Sequence, residues 1–325
     1  MIEKIEEIKI KFENCKNVAI FGHTNADGDA VGSMCAMQHF FKSLNKNADM
    51  FVDGDVPERF LVLSNANTIN TKEFDPLNYD LLLAVDCSEI DRLKIYANFF
   101  KSFENTVLID HHKSNTKFAK VGYVEPTTSS CGEVIFNLLT LLGYKINAEM
   151  ASSLFAAMLS DTNTFTNSNV TQKTYKVAGK LIELGADFEN IVYYTQKLKT
   201  KSQLKLAGFM SSNVQINNGV SYLAVLQKNC KKLGVKMSDV SKFLNTLTDI
   251  EGSRITVLIK QKEKNTYNIS FRCLKGYNVS DIAQKYGGGG HIQAAACVVT
   301  GRLNAIKKNI LNECFNEIKR VESGK

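Results

Sequence analysis

Three apolar runs with strand character each close on a histidine or an aspartate: Asn17-Val-Ala-Ile-Phe-Gly-His23, Tyr79-Asp-Leu-Leu-Leu-Ala-Val-Asp86 and Thr106-Val-Leu-Ile-Asp110. Ala48–Asp53 and Lys120–Glu125 are further candidate strands. Between and after them, apolar residues recur at helical spacing over Ala30–Leu44, Asp91–Phe100, Ser130–Leu142, Ala148–Ser160 and Thr171–Leu184. Gly143 and Gly185 fall where helix C-caps belong. Strand–helix alternation predicts an α/β fold with a parallel, doubly wound sheet. Strands of such a sheet deliver their last residues to one edge, where ligands bind.

The pattern changes after about Asn190. A Lys/Gln-rich segment to Ser212 reads as one helix and is taken as a connector. Beyond it the chain reads as a smaller α+β domain. A hairpin over Val214–Val225 turns on Asn218-Gly219, and a helix is expected near Ser238–Leu247. Strands at Arg254–Lys260 and Thr266–Arg272 follow, then helices at Val279–Tyr286 and Leu303–Val321 on either side of a glycine run. The predicted domains are residues 1–192, a helical linker 193–212, and residues 213–325.

At 325 residues the chain suits two domains, and 44% apolar residues are enough for packed cores. No stretch approaches the roughly 18 apolar residues of a membrane span. The start, Met1-Ile-Glu-Lys-Ile-Glu-Glu-Ile-Lys-Ile10, predicts a charged amphipathic helix rather than a signal peptide. Eight cysteines without a CxxC pair point to reduced core residues of a cytoplasmic protein and against a structural zinc site. The net charge of +7 conceals a split: residues 1–192 hold 18 Lys+Arg against 25 Asp+Glu, and residues 193–325 hold 22 against 8. An acidic half suits cations and a basic half suits phosphates.

Four short blocks carry the chemistry: His23-Thr-Asn-Ala-Asp27-Gly-Asp29, Val85-Asp86, Asp110-His111-His112 and Ser160-Asp161-Thr162. Carboxylates and imidazoles gathered at one sheet edge repel or stay poorly solvated unless a cation lies among them. The chain therefore reads as a metallohydrolase. Asp27 and Asp29 are expected in a loop made flexible by Gly28 and Gly32, each aimed at a different metal. Asp86 and Asp161 would complete the shells, with one carboxylate bridging. Mixed imidazole and carboxylate ligands suit Mn²⁺, with Mg²⁺ or Fe²⁺ as substitutes. Two cations about 3.5–4 Å apart would clamp an in-line displacement at phosphorus. His39, on the helix after the first block, is expected to pack or face solvent.

In this order and spacing, the blocks HTNADGD, VD, DHH and SDT closely resemble the motifs of the DHH phosphoesterase superfamily. Ser270-Phe-Arg272 followed by Gly287-Gly-Gly-Gly-His291 is similar to the DHH-associated substrate domain. Size and the lack of appended modules place the resemblance with the NrnA-type family. It implies hydrolysis of short oligoribonucleotides and linear dinucleotides to 5′-mononucleotides, and of 3′-phosphoadenosine 5′-phosphate to AMP, in a homodimer. Carried over, it implies that His23, Asp27 and Asp86 hold one metal and that Asp29, Asp86, His111 and Asp161 hold the second. His112 would face the scissile phosphate, with Asp110 orienting a ligand. Arg272, His291 and a nest of amides over Gly287, Gly288, Gly289 and Gly290 would grip phosphate, with Arg254 as a further candidate. The chain departs from the usual family form at Cys273, where serine is common, and at Cys297, where the alanines usually lead to glycine.

Other roles are weaker. Ser129-Ser-Cys131 predicts a helix cap rather than a cysteine nucleophile, and Tyr277 and Tyr286 are expected mainly to pack. A cyclic di-AMP phosphodiesterase is the alternative reading. A RecJ-like exonuclease needs an extra nucleic-acid-binding fold, and a family-II-like pyrophosphatase needs a different second domain. A non-catalytic nucleotide sensor needs broken ligands.

Overall fold

The computed structural model describes residues 2–70, 74–241 and 243–324. The chain divides into two compact units, Met1–Leu198 and Lys199–Lys325.

The first unit is built on five short strands: β1 (Asn17–Phe21), β2 (Asn47–Phe51), β3 (Leu81–Val85), β4 (Thr106–Asp110) and β5 (Val121–Val124). All pair in parallel, in the order β2-β1-β3-β4-β5. This is a doubly wound order whose direction of winding reverses between β1 and β3, the switch point at which ligands bind in such sheets. β3 and β4 are buried along their whole length. That is why they read as continuous apolar runs, as strands covered on both faces must.

Alternate residues feed two cores. Val18, Ile20, Leu83, Val107 and Ile109 face one core with α1 (Ile2–Asn14), α2 (Gly28–Ser43), α4 (Cys131–Leu141), α5 (Ala148–Asp161) and α6 (Gln172–Glu183). Ala19, Phe21, Phe51, Leu82 and Leu108 face the other with Leu93, Tyr96 and Phe100. The segment expected as one helix over Asp91–Phe100 is a tight helical turn, Ile90–Tyr96, followed by α3 (Ala97–Ser102). Lys94 breaks it with φ +52°. Met1 of the predicted amino-terminal helix lies outside the described residues.

Gly28 and Gly32 do not loosen a loop. Asp27 caps α2, its carboxylate accepting the Asp29 and Ala30 N–H groups at 3.0 and 3.2 Å, and Gly28 and Asp29 form the first turn. Capping by aspartate outcompetes the disorder that the glycines imply. The glycines serve close packing instead: a Cβ at position 32 would lie 2.5 Å from Ser153 O and 2.9 Å from Ala157 N on α5. Gly32→Ala is expected to destabilise the chain by about 1–3 kcal/mol, read as a lower urea midpoint with an unchanged slope.

The expected single connector helix is broken. α7 (Phe188–Val192) runs into a wide turn over Tyr193–Lys197, the backbone becomes extended at Leu198, and α8 (Lys201–Asn213) starts afresh. A reciprocal capping box between Thr200 and Gln203 starts the new helix.

The second unit is a six-stranded mixed sheet in the order β10-β11-β9-β8-β7-β6. Its strands are β6 (Gln215–Asn217), β7 (Val220–Val225), β8 (Ile255–Glu263), β9 (Thr266–Cys273), β10 (Gly289–His291) and β11 (Ala294–Thr300). The β6–β7 hairpin turns on Asn218 (φ +46°) and Gly219 (φ +79°), the backbone that Asn-Gly favours. One face of the sheet buries Val257, Ile269 and Phe271 against α12 (Ser280–Gln284) and α13 (Leu303–Glu322). The other face meets α8, α9 (Gln227–Leu233), α10 (Met237–Ser241) and α11 (Leu244–Thr248) near Leu223 and Leu258. α10 and α11 replace the single helix expected over 238–247, and Lys242 between them lies outside the described residues. β10 and β11 were not expected, because an alanine run and four glycines carry no strand propensity of their own.

Candidate active site

β1, β3 and β4 carry His23, Asp86 and the Asp110-His111-His112 triplet to the carboxyl edge of the first sheet. α2 and α5 bring Asp29 and Asp161 to meet them. Three sets of side chains come close enough for each to hold one metal ion: His23, Asp27 and Asp86; Asp29, His111 and Asp161; and Asp86, His111 and His112. His23 Nε2 lies 3.9 Å from Asp27 Oδ1 and 3.6 Å from Asp86 Oδ2. His111 Nε2 stands 3.7 Å from a carboxylate oxygen of each of Asp29, Asp86 and Asp161. These separations are too long for hydrogen bonds and suit atoms sharing a cation.

Hydrogen bonds outside the cluster aim the donors into it. His23 Nδ1 donates to Thr24 O at 2.7 Å, which leaves Nε2 as the free nitrogen. Asp29 accepts the Cys131 and Gly132 amides at 2.7 and 3.0 Å, at the positive end of α4, and the Ser33 hydroxyl at 3.3 Å. Asn169 donates from Nδ2 to Ser129 O at 2.8 Å and to Asp161 Oδ2 at 3.3 Å. Asp86 is 2% exposed, and its Oδ1 is buried without a hydrogen-bond partner among the described residues. Its backbone takes φ +52°, a conformation uncommon outside glycine. An orphaned carboxylate oxygen between two histidines is what a divalent cation would satisfy.

The electrostatics agree. Burial, then the charges of Asp86, Asp161 and Asp27, drives the Asp29 carboxyl well above its ordinary range. Burial, then Asp27, Asp110 and Asp161, does the same to Asp86. Asp161 is pushed up to about 6, by burial and then by Asp27. Burial holds His23 and His111 below the usual imidazole range. Neutral imidazoles beside carboxylates that resist ionisation form a site lacking positive charge.

His112 differs. Its Nδ1 donates to Asp110 Oδ1 at 2.8 Å, and Asn115 donates to Asp110 Oδ2 at 2.6 Å. Burial alone would raise the Asp110 carboxyl, but the His112 and Asn115 bonds bring it below its usual value. The pair fixes the His112 ring and leaves Nε2 free for chemistry. Asn115, Asn169 and Ser33 were missed from the sequence. Only Asn115, five residues after Asp110, had a spacing that could have flagged it.

The remaining candidates separate cleanly. His39 is half-buried beside Asn65, 3.4 Å away. The Cys131 thiol is buried and donates to Ile109 O, and its pKa is raised by burial and by Asp29, so it is no nucleophile. Tyr277 and Tyr286 pack on the second core.

In the second unit, the register pairs Ala294 with both Arg272 and His291, which places these two on one face with a small residue between them. Two of the four amides expected in the nest are taken up locally. Gly287 and Gly288 donate their N–H groups to Gln284 O and Ala283 O at 3.0 and 2.9 Å, while Gly289 and Gly290 pair with β11. Gly288 and Gly290 are needed for close approach, since a Cβ there would come within 2.2 and 2.5 Å of the Ala296 and Ala294 carbonyls. Arg254 pairs with Glu322 in an exposed ion pair, Nε to Oε1 at 2.5 Å.

The DHH family N-terminal domain model matches residues 17–160, and the DHHA1 domain model matches residues 217–318. Together they span about three quarters of the chain, which belongs to the DHH phosphoesterases. It is a hydrolase of phosphodiester bonds. The chain is 28% identical over 287 residues to the bifunctional oligoribonuclease and PAP phosphatase NrnA of Bacillus subtilis (strain 168), covering 87% of this chain and 89% of that one. It is 27% identical to the protein of the same description from Thermus thermophilus, over 94% and 91% of the two chains. Its fold matches the crystal structure of an exopolyphosphatase-related protein from Bacteroides fragilis, with a TM-score of 0.90, 21% identity and coverage of 98% and 97%. No helix among the described residues is long and apolar enough to cross a membrane.

Proposed function

We propose that the chain hydrolyses short oligoribonucleotides and linear dinucleotides such as pApA and pGpG to 5′-mononucleotides, and 3′-phosphoadenosine 5′-phosphate to AMP. The observation that carries this reading is Asp86, whose two oxygens face His23 and His111 separately, as a carboxylate bridging two cations would. His23, Asp27 and Asp86 would hold one divalent ion and Asp29, Asp86, His111 and Asp161 the other, manganese foremost, with magnesium or iron as substitutes. When bound, the ions lower the pKa of water and neutralise charge at phosphorus.

The chain's own groups do the rest. His112, oriented by Asp110, gives a proton to the departing 3′-oxygen as the P–O bond breaks and water adds to phosphorus. Arg272 binds a substrate phosphate through its planar fork, and His291 stands beside it on the same face. The relatives' description as oligoribonuclease and PAP phosphatase supports this substrate class. Eight buried, free cysteines fit a reducing, cytoplasmic setting.

The test is a ranking by the full-length protein with Mn²⁺ on pApA, 3′-phosphoadenosine 5′-phosphate, cyclic di-AMP and a long single-stranded RNA. Faster turnover of pApA and 3′-phosphoadenosine 5′-phosphate than of the other two is expected. Faster turnover of the long strand, or of cyclic di-AMP, overturns the substrate assignment. Arg272→Ala is expected to raise KM for pApA about 10–100-fold with kcat within about threefold, the signature of lost uniform binding.

A further inference from the structure

We propose that Arg92 is a further catalytic residue, whose guanidinium takes a non-bridging oxygen of the scissile phosphate from beside His23 and Asp86. The inference rests on the two-cation reading above. Arg92 sits in the Ile90–Tyr96 turn just after β3, and its carbonyl accepts the Thr24 N–H at 2.8 Å, so the turn is tied to the His23 loop. Leu93 and Tyr96 of the same turn are buried in the aromatic core and anchor it. The side chain is half-buried, and its charge acts on His23, Asp86 and Cys87.

Among the described residues the Arg92 guanidinium makes neither a hydrogen bond nor an ion pair. Arg254 pairs with Glu322, Arg320 with Glu317, Arg59 lies over the Phe60 ring at 4.7 Å and Arg272 donates to Phe271 O, while Arg302, which also makes no such contact among the described residues, is exposed on the surface. A guanidinium beside a buried carboxylate cluster normally pairs with it. Arg92 instead stands unpaired among the described residues, in the turn that follows β3 and is bonded to the His23 loop through Thr24. Charge explains what it is left for. Asp27, Asp29, Asp86 and Asp161 supply four negative charges, which two divalent ions cancel while His23 and His111 stay neutral, and the Asp110 carboxylate is matched by the His112 that carries the proton for the leaving oxygen. One surplus positive charge then remains at the site, on Arg92, and a phosphodiester brings one negative charge. A preorganised donor of this kind gains most as charge develops on phosphorus.

The experiment compares Arg92→Ala and Arg92→Lys with wild type and with Lys101→Ala, a control that removes an exposed cation from α3. Three quantities are read: kcat/KM on pApA, Mn²⁺ affinity by calorimetry, and AMP binding to the manganese-loaded protein. Arg92→Ala should lower kcat/KM about 100-fold. It should weaken AMP binding about tenfold and leave Mn²⁺ affinity within about threefold. Lysine should restore only part of the loss, since it keeps the charge but not the fork. Guanidinium ion added to Arg92→Ala should recover activity. Unchanged kcat/KM and AMP binding overturn the proposal, as does a loss that follows a tenfold change in Mn²⁺ affinity, which would make Arg92 only a counter-charge for Asp86. If wild type cleaves no diester, the substrate reading fails, and AMP binding still decides Arg92.

Discussion

Asp86→Asn should abolish metal-dependent hydrolysis, with kcat down by at least about 10³–10⁴-fold, while leaving the metal-free protein as stable as wild type or more so. Asparagine keeps the shape of the side chain and removes its charge. The loss is large because Asp86 faces both His23 and His111, so each of the two proposed ion sites draws on it. The gain has a separate cause. In the metal-free chain Asp86 is buried among Asp27, Asp110 and Asp161, which already penalise its ionised form. Removing a buried, unpaired charge relieves that repulsion. Function and stability oppose each other at such a position. Calorimetric Mn²⁺ titration and thermal melting in EDTA check the two halves independently. Metal-dependent turnover near the wild-type rate would remove Asp86 from the site.

Much of the first unit could be read from the chain because its strands are buried on both faces. Thr106–Asp110 is a strand in both the reading and the structure, since a continuous apolar run between polar flanks has few other uses. The site was legible for the same reason: His23, Asp86 and Asp110 each follow such a run, and a parallel sheet sends all three to one edge. What escaped notice depends on tertiary partners. The left-handed backbone at Asp86 is held by surroundings that no local pattern encodes. Asn169 and Ser33 act through single hydrogen bonds to Asp161 and Asp29, and a lone polar residue has no periodicity to betray it.

The second unit was less legible because its informative residues are small. β11 begins Ala294-Ala-Ala, which fits helix, strand or loop equally until β9 pairs with it over seven residues. Once it pairs, Gly289 and Gly290 become part of the sheet's edge strand, while the Gly287 and Gly288 amides are taken by the preceding helix. The same pairing places Arg272 and His291 on one face, on either side of Ala294, which spacing alone could not do. Position 297 follows from this geometry: a Cβ on Gly288 would lie 2.5 Å from Cys297 Cβ, so a side chain at 297 is tolerated only because 288 has none.

Manganese should raise the melting temperature more at pH 8 than at pH 5.5, and the metal-free protein should lose stability as pH climbs above about 7.5. The carboxyls of Asp29, Asp86 and Asp161 titrate higher in the folded chain than in the unfolded one. The folded state therefore holds more protons than the unfolded state above the ordinary value of 3.8, and stability falls as pH rises. For Asp161 the fall ends near its folded value of about 6, while Asp29 and Asp86 extend it to higher pH. His23 and His111 work the other way, because burial lowers them below 6.5 and the stability gained on deprotonation is complete only about one unit above the unfolded value of 6.5. Above about pH 7.5 only the carboxylate effect remains.

Divalent ions reverse that trend, since they bind the ionised carboxylates and neutral imidazoles, so affinity rises with pH as protons leave. At about 100 times its dissociation constant a ligand stabilises by about 2.7 kcal/mol. For a unit of this size that is a shift of roughly 5–10 °C. The difference between melting in Mn²⁺ and in EDTA should therefore reach this range at pH 8 and shrink to a few degrees or less at pH 5.5. Asp86→Asn should flatten the whole dependence. A manganese shift that is constant with pH, or largest in acid, would mean the ion binds somewhere other than among these carboxylates.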